Sequence, residues 1–501
     1  MRQRRLIPVI LYLALAFTVS AITPQRYVLR SEGSRLPAVL GYADSVSEQD
    51  FELPPALVEW MSQYDASEPL VPPVCDDSVK PLLQSRWAQS VPFNDSVPTY
   101  DGVHRCPSGC VATAMAQIMY FYRYPETGTG EYGYRWYNAD STRTDSLYAH
   151  FGSTRYLWNQ MRNSYKSVSP VYRPPIAQLL YHCGVSVDMR YDSSSKHQSS
   201  AYTKRAPQAM AQYFGYDTNY QCLNKSIYSY DSLAALLREE LKRNHPILIN
   251  ASNGTTGHAF ICDGYNAEGY FHINWGWGGD ADGYYLLPNL KPSVNPEDNS
   301  SAVYNKSLAF YVGIQPPNEQ AHIFSYQMGA DSLTLTRSQW AVRDTFSLIV
   351  NRMQNFGMHN YSGAYGAALL TGDSLYLLDT AKVSLKSGFY KTGLMKRDSL
   401  VLPVLADGEY QLVAAYHDYD AWRQFPCRYA EPYCTIYVCG DSVYTTPQER
   451  CSSPLTVSDI AQEEEVVSKT LLMTFGTMNL YLIETRRGNT ITRTKLLSPQ
   501  Q

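Results

Sequence analysis

The chain has 501 residues, with 42 Lys and Arg against 46 Asp and Glu, a formal charge of −4. That near-balance excludes the basic excess that a nucleic-acid or anionic-membrane surface needs. Hydrophobic residues at 44% and charged residues at 18% exclude a disordered chain, and the length predicts about three globular domains.

Arg2, Arg4 and Arg5 precede an apolar run from Leu6 to Val19 that ends in Val19-Ser20-Ala21. A charged start, a short apolar stretch and a small-residue cleavage point predict a secretory signal peptide over residues 1–21. The run is too short for the roughly 20 apolar residues of a membrane span, and no later stretch reaches that length. No Cys follows the cleavage point, which argues against lipid attachment. The chain therefore reads as exported, without a transmembrane segment. Export permits disulfides. Six Cys lie in the first 270 residues, while Cys427, Cys434, Cys439 and Cys451 cluster near the end. These last four have no C-x-x-C step and no neighbouring His, so two disulfides are expected rather than zinc, with three pairings open.

Residues 22–79 read as a short pro-segment and linker. The stretch 53–61 predicts a helix with Leu57, Trp60 and Met61 on one face. The linker, Pro69-Leu-Val-Pro-Pro73 followed by Asp76-Asp77-Ser78, is open to processing. Within 80–315, residues 110–122 form an apolar helical run between Pro107-Ser-Gly109 and Pro125. Residues 231–243 form an amphipathic helix with Leu233, Leu236, Leu237 and Leu241 on one stripe and Asp231 as N-cap. Strand-like runs follow at 247–249, 258–263, 270–275 and 283–287, giving an α+β block. Gln315-Pro-Pro317 marks a boundary. Beyond it, alternating runs at 332–336, 345–350, 363–370, 374–378 and 410–416 predict an all-β sandwich over 316–445. The tail, 446–501, closes with a hairpin of 479–484 and 490–497 around Arg487-Gly-Asn489.

Cys110 follows Gly109 and opens its helix, where the positive end of the dipole favours thiolate. The alternative is a buried, inert Cys. His258 comes 148 residues later in Gly257-His-Ala-Phe-Ile-Cys262, an apolar strand approached through Gly254 and Gly257. The separation falls within the roughly 130–150 residues of papain-like Cys and His pairs. Imidazole held against a helix-terminal thiolate keeps sulfur nucleophilic. Asn274 opens Asn274-Trp-Gly-Trp-Gly-Gly279. Its amide can fix the plane of the imidazole and Trp275 can shield that bond, or the segment is a Gly-rich turn with two core Trp. Upstream, Gln89 in Arg86-Trp-Ala-Gln89 could join the Cys110 backbone N–H as an oxyanion hole.

These four motifs, in this order, resemble the streptopain family of secreted papain-like cysteine peptidases over about residues 36–312. The resemblance implies a papain-like domain at 80–315, with Cys110 as nucleophile, His258 as general base and acid, and Gln89 as oxyanion donor. Asn274 and Trp275 would orient and shield the histidine. It also implies no cofactor or metal, protein and peptide substrates read through an apolar side chain beside the scissile residue, and a zymogen silenced by residues 37–42 and the helix around Trp60. Two features depart from the family: the pro-segment is short, and streptococcal members lack the sandwich and tail. The closing hairpin resembles the sorting domain of Bacteroidetes outer-membrane secretion, implying that machinery as a partner and a secreted or cell-surface location. Three other readings stay open: a catalytically inactive relative, an adhesin acting through the sandwich, and acyl transfer to another acceptor.

Overall fold

The apolar runs that follow the amphipathic helix assemble into one sheet, and the N-terminal segment completes its edge. The structure, a computed structural model, describes residues 17–499 except 24–25, 32–34, 44–56, 58–59, 62–63, 65–68, 139–140, 143, 195–196, 254–256, 289–305, 373, 392–395, 449–464, 476–477 and 488–489. The charged start of the signal peptide, Gly254, Cys451, the turn residues 488–489 and most of the expected helix at 53–61 lie outside the described residues. The chain divides into two compact units, Met1–Phe324 and Ser325–Gln501.

In the first unit the N-terminal strands are β1 (Phe17–Thr23), β2 (Arg26–Ser31) and β3 (Val39–Ala43), followed by α1 (Cys110–Tyr122). Next come the hairpin β4 (Tyr132–Tyr137) and β5 (Thr144–Ala149), α2 (Arg173–Ser186), and the hairpin β6 (Arg190–Ser194) and β7 (His197–Ser200). The unit continues through α3 (Arg205–Phe214), β8 (Gln221–Asn224), α4 (Tyr230–Lys242) and β9 (Ile247–Asn253). It ends with β10 (Gly257–Tyr265), β11 (Phe271–Asn274), β12 (Gly283–Tyr285) and β13 (Lys306–Val312). Among the described residues, one sheet runs β1-β2-β3-β12-β11-β10-β9-β13-β8, with every neighbouring pair antiparallel.

Helix α1 forms because Val111–Met119 offers nine consecutive residues suited to burial, and all nine are buried. A helix apolar on every side must be enclosed, and α1 packs on β10 with α2 and α3 around it. It stops at Arg123, whose left-handed backbone turns its N–H back onto the carbonyls of Met119 and Tyr120. Helix α4 differs from expectation at its start. Ser229, not Asp231, is the N-cap: its side chain accepts from the Ser232 N–H, while Asp231 sits in the first turn. Leu233, Leu237 and Leu241 form the buried stripe, and Leu236 stays exposed at its edge.

The segment read as a detachable pro-segment is built into this unit. β3 pairs with β12, Tyr42 opposite Tyr284. Leu36, Leu40, Leu57, Trp60, Tyr64 and Leu70 share one core with Phe260, Trp275 and Tyr285. Trp60 Nε1 and Tyr64 OH both donate to the Leu286 carbonyl, at 3.2 and 2.6 Å. At the other end, the unit continues past the expected boundary at Gln315. The Gln315 carbonyl accepts from the Asp217 N–H, and Phe324 packs against the same core.

The second unit is β-rich. Its largest sheet runs Gln339–Ala341, Ser442–Tyr444, Cys434–Cys439, Gly408–Asp418, Tyr361–Thr371 and Ser374–Leu385, with Ala421–Gln424 pairing on Gly408–Asp418. A three-stranded sheet of Ser332–Leu335, Phe346–Asn351 and Lys396–Leu400 shares its core, which includes Leu348, Val350, Leu369, Leu412, Ile436 and Val438. The expected closing hairpin is the second half of a meander, Glu465–Phe475, Met478–Arg487 and Thr490–Pro499. Its first strand escapes an alternation test because the register shifts at Val466/Ser468 and Leu471/Met473. The two expected disulfides are not both formed. Cys439 is bridged, but Cys427 and Cys434 are free thiols packed against the core.

Candidate active site

The segment that carries Gln89 is extended and stitched down at alternate residues. The Leu83 N–H donates to Asp263 Oδ2 at 2.8 Å, and the Ser85 carbonyl accepts from Asn274 Nδ2 at 3.0 Å. The Trp87 carbonyl accepts from the Gly278 N–H at 2.8 Å, and the Gln89 carbonyl accepts from the Ser108 N–H at 2.9 Å. Period-two stitching turns Trp87 into the core, where its ring lies 4.7 Å from that of Tyr120. Gln89 is left half-buried, tied through its backbone to a residue two before Cys110. Among the described residues its side-chain amide makes no hydrogen bond.

Gly109 allows the thiol to sit at the helix start. Its φ of 90° is unfavourable for other residues, and a Cβ there would lie 2.6 Å from Met189 Sδ. Cys110 is half-buried. Burial pushes its thiol up, while the backbone N–H groups of Ala259, Val111 and Cys110 itself pull the other way. Helix α1 packs on β10, the strand that also carries His258. Cys106 has a different setting. It is fully buried off the helix, and burial with the nearby charges of Asp192 and Asp101 pushes its thiol up to about 12.

His258 lies on β10 opposite Ala251 of β9, half-buried, and burial draws its imidazole down to about 4. Among the described residues no side chain bonds its ring, and no hydrogen bond joins it to Cys110. The thiolate expected from the helix dipole is therefore not favoured by itself. Burial resists charge on sulfur and on imidazole separately, so the two charges are favourable only when formed together.

Asn274 and Trp275 are not placed as expected. Asn274 Oδ1 accepts from Gln117 Nε2 and from the Gly276 N–H, both at 3.1 Å, and Nδ2 donates to the Ser85 carbonyl. With both acceptor directions occupied, the amide turns to the Cys110 helix instead of to His258. Trp275 is a core residue, 1% exposed, its ring 4.6 Å from that of Phe260 and edge-on to Trp60 and Tyr285. Its Nε1 donates to the Ala281 carbonyl, and its backbone N–H donates to Asp282 Oδ1. The glycines serve the turn itself, with Gly276 at φ +72° against Thr113 of α1. Motif reading passed over Ser85, Gln117 and Asp282. The signal for Gln117 was available: one amide in an apolar helix, seven residues after Cys110 and so on the same face. Among the described residues no group of three or more His, Cys, Asp or Glu could hold a metal ion, and no helix is long and apolar enough to cross a membrane.

Residues 87–285, which include all five positions, match the model of the peptidase C10 family. Streptopain of Streptococcus pyogenes is 31% identical over 318 residues, covering 58% of this chain and 78% of streptopain. The chain belongs to the peptidase C10 family. This C10 chain is also 30% identical to the thiol protease/hemagglutinin PrtT of Porphyromonas gingivalis, over 62% of its own length but only 38% of that relative. A fragment of Prevotella intermedia prointerpain A matches in structure with a TM-score of 0.53 at 28% identity, covering 62% of this chain and 98% of the fragment. The resemblance read from four motifs is borne out: the C10 chain has a papain-like cysteine peptidase domain followed by a β-rich region.

Proposed function

We propose that the protein is an exported endopeptidase, made as a precursor, in which Cys110 attacks the scissile carbonyl carbon. His258 takes the thiol proton as the carbon–sulfur bond forms and gives it to the leaving amine. The Gln89 amide and the Cys110 backbone N–H receive the oxyanion. Water, deprotonated by His258, then cleaves the thioester. The observation that carries this reading is the packing of α1, which opens with Cys110, on β10, which carries His258. The free Gln89 amide beside the helix start supports the oxyanion role.

Processing is proposed within residues 72–80, between the pro-segment and the rest of the unit. Val74 within that stretch and Val71 just before it are each 75% exposed, which suits access by a second peptidase molecule. Substrates are proteins and peptides. The signal peptide and C-terminal meander are read as export and sorting elements. The test is labelling of the secreted protein with an iodoacetamide- or E-64-type reagent, followed by peptide mapping and casein hydrolysis. Label on Cys110 with matching loss of hydrolysis is expected. Label on Cys106, or hydrolysis that survives full labelling of Cys110, overturns the assignment.

A further inference from the structure

Beneath the proposed site, three buried residues close a ring of hydrogen bonds. Ser85 Oγ donates to Gln117 Oε1 at 2.8 Å, and Gln117 Nε2 donates to Asn274 Oδ1 at 3.1 Å. Asn274 Nδ2 donates back to the Ser85 carbonyl at 3.0 Å. The three residues are 2%, 1% and 3% exposed. Both amides are used as donor and acceptor, so the ring accepts a single orientation of each.

Each member belongs to a segment that carries a proposed catalytic group. Ser85 lies four residues before Gln89. Gln117 lies two helical turns after Cys110 on α1. Asn274 ends β11, whose neighbour β10 carries His258, with Ile261 opposite Asn274. An apolar side chain of similar length would fill the site of Gln117 without the cost of desolvating an amide, so packing alone does not account for the group. We infer that Gln117 is a positioning residue, whose amide holds the Gln89 segment, the Cys110 helix and the end of β11 in one register. This rests on the proposed catalytic assignment. Displacements of an ångström between reacting groups cost about 10²-fold in rate, which is the scale such a clamp controls.

The test is Gln117→Met in the full-length protein, with kcat and KM on a peptide, the alkylation rate of Cys110 and the thermal midpoint measured together. The expected result is kcat lower by about 10- to 100-fold and KM changed little. Cys110 alkylation should be nearly unchanged, because the substitution leaves the thiol and the start of α1 as they are. Ser85→Ala should give a smaller loss of the same kind. Gln117→Glu regains a donor only when protonated, so its kcat relative to wild type should rise as pH falls from about 7 to about 5. A folded Gln117→Met with wild-type kcat overturns the inference, as does alkylation that falls in step with kcat. Should Gln117→Met not fold, wild-type kcat in Ser85→Ala or a flat pH ratio in Gln117→Glu overturns it. If wild type hydrolyses no peptide, or Cys110→Ala still does, the site assignment fails and takes the inference with it.

Discussion

The two sides of the proposed site commit their polar atoms differently. On the helix side, Gln89 and Cys110 are half-buried, and the Gln89 amide is unspent. On the strand side, His258 alone shares that state. Asn274 and Trp275 are 3% and 1% exposed, with their side-chain nitrogens and the Asn274 oxygen engaged internally. One side presents chemistry, and the turn that follows the other is scaffold. Residues of the first kind should govern turnover; of the second, Trp275 should govern stability, while Asn274 bears on turnover only through the ring with Gln117 and Ser85.

The largest effect tests the first half of that contrast. Cys110→Ala removes the proposed nucleophile and should lower peptide hydrolysis by more than about 10³-fold, leaving an unprocessed precursor with an unchanged thermal midpoint. N-terminal sequencing and unfolding curves of the secreted variant check both points. Cys106→Ala should keep most activity, since its thiol is buried away from the helix start. Next in size, Gln89→Ala should lower kcat by about 10²-fold with little change in KM. A variant with near-normal turnover would remove Gln89 from the mechanism.

Trp275→Ala should behave in the opposite way. It vacates a core shared with Trp60, Phe260 and Tyr285, so a loss of about 3–5 kcal/mol in unfolding free energy is expected. The fraction that remains folded should still alkylate at Cys110. If activity vanished while denaturant midpoints held, the turn after β11 would itself be catalytic and the contrast would fail.

The same asymmetry decides how much could be read beforehand. Helix α1 was legible to its ends, because Gly109 and Pro125 bracket a continuous apolar run. β9, β10, β11 and β12 were legible because their apolar runs are short and separated by turn residues. Cys110, His258 and Gln89 stood out as candidates because the chemistry proposed for them depends on residue type and order. The partner of Asn274 did not. An amide bonds whichever complementary group the tertiary fold brings within 3 Å, and here that group sits 157 positions away on α1. Where the N-terminal segment packs was not legible for a related reason. The helix expected at 53–61 was a local reading, and only the sheet edge at β12 shows where Leu40, Trp60 and Tyr64 are buried.

A pH profile sharpens the contrast within the strand side. Burial holds the His258 imidazole at about 4, below its ordinary 6.5. In the proposed mechanism the neutral ring is the working base, so the acid limb of kcat/KM should have its midpoint nearer 4 than 6.5. A limb at 6.5 would mean a solvated ring.

The smallest effect concerns the carboxyl beneath the Trp275 turn. Asp282 accepts the Trp275 N–H. Burial pushes it up to about 7, with Asp263 adding to the rise, while His272, the Trp275 N–H and Arg86 oppose it. The native state thus holds a proton that the unfolded chain releases near 4. The resulting stability is fully present below about 4 and is lost as pH rises toward 7. Asn at this position imitates the protonated carboxyl at every pH. Asp282→Asn should therefore match wild type near pH 4 and become progressively the more stable of the two toward pH 7. His258 and His182, both drawn down to about 4 by burial, lose stability in the other direction as pH falls below 6.5. They are common to both proteins and cancel in the difference. Thermal midpoints of the pair across this range decide the matter. A difference independent of pH would mean that Asp282 is ionised in the native state, and that the turn after Asn274 is held by a charge.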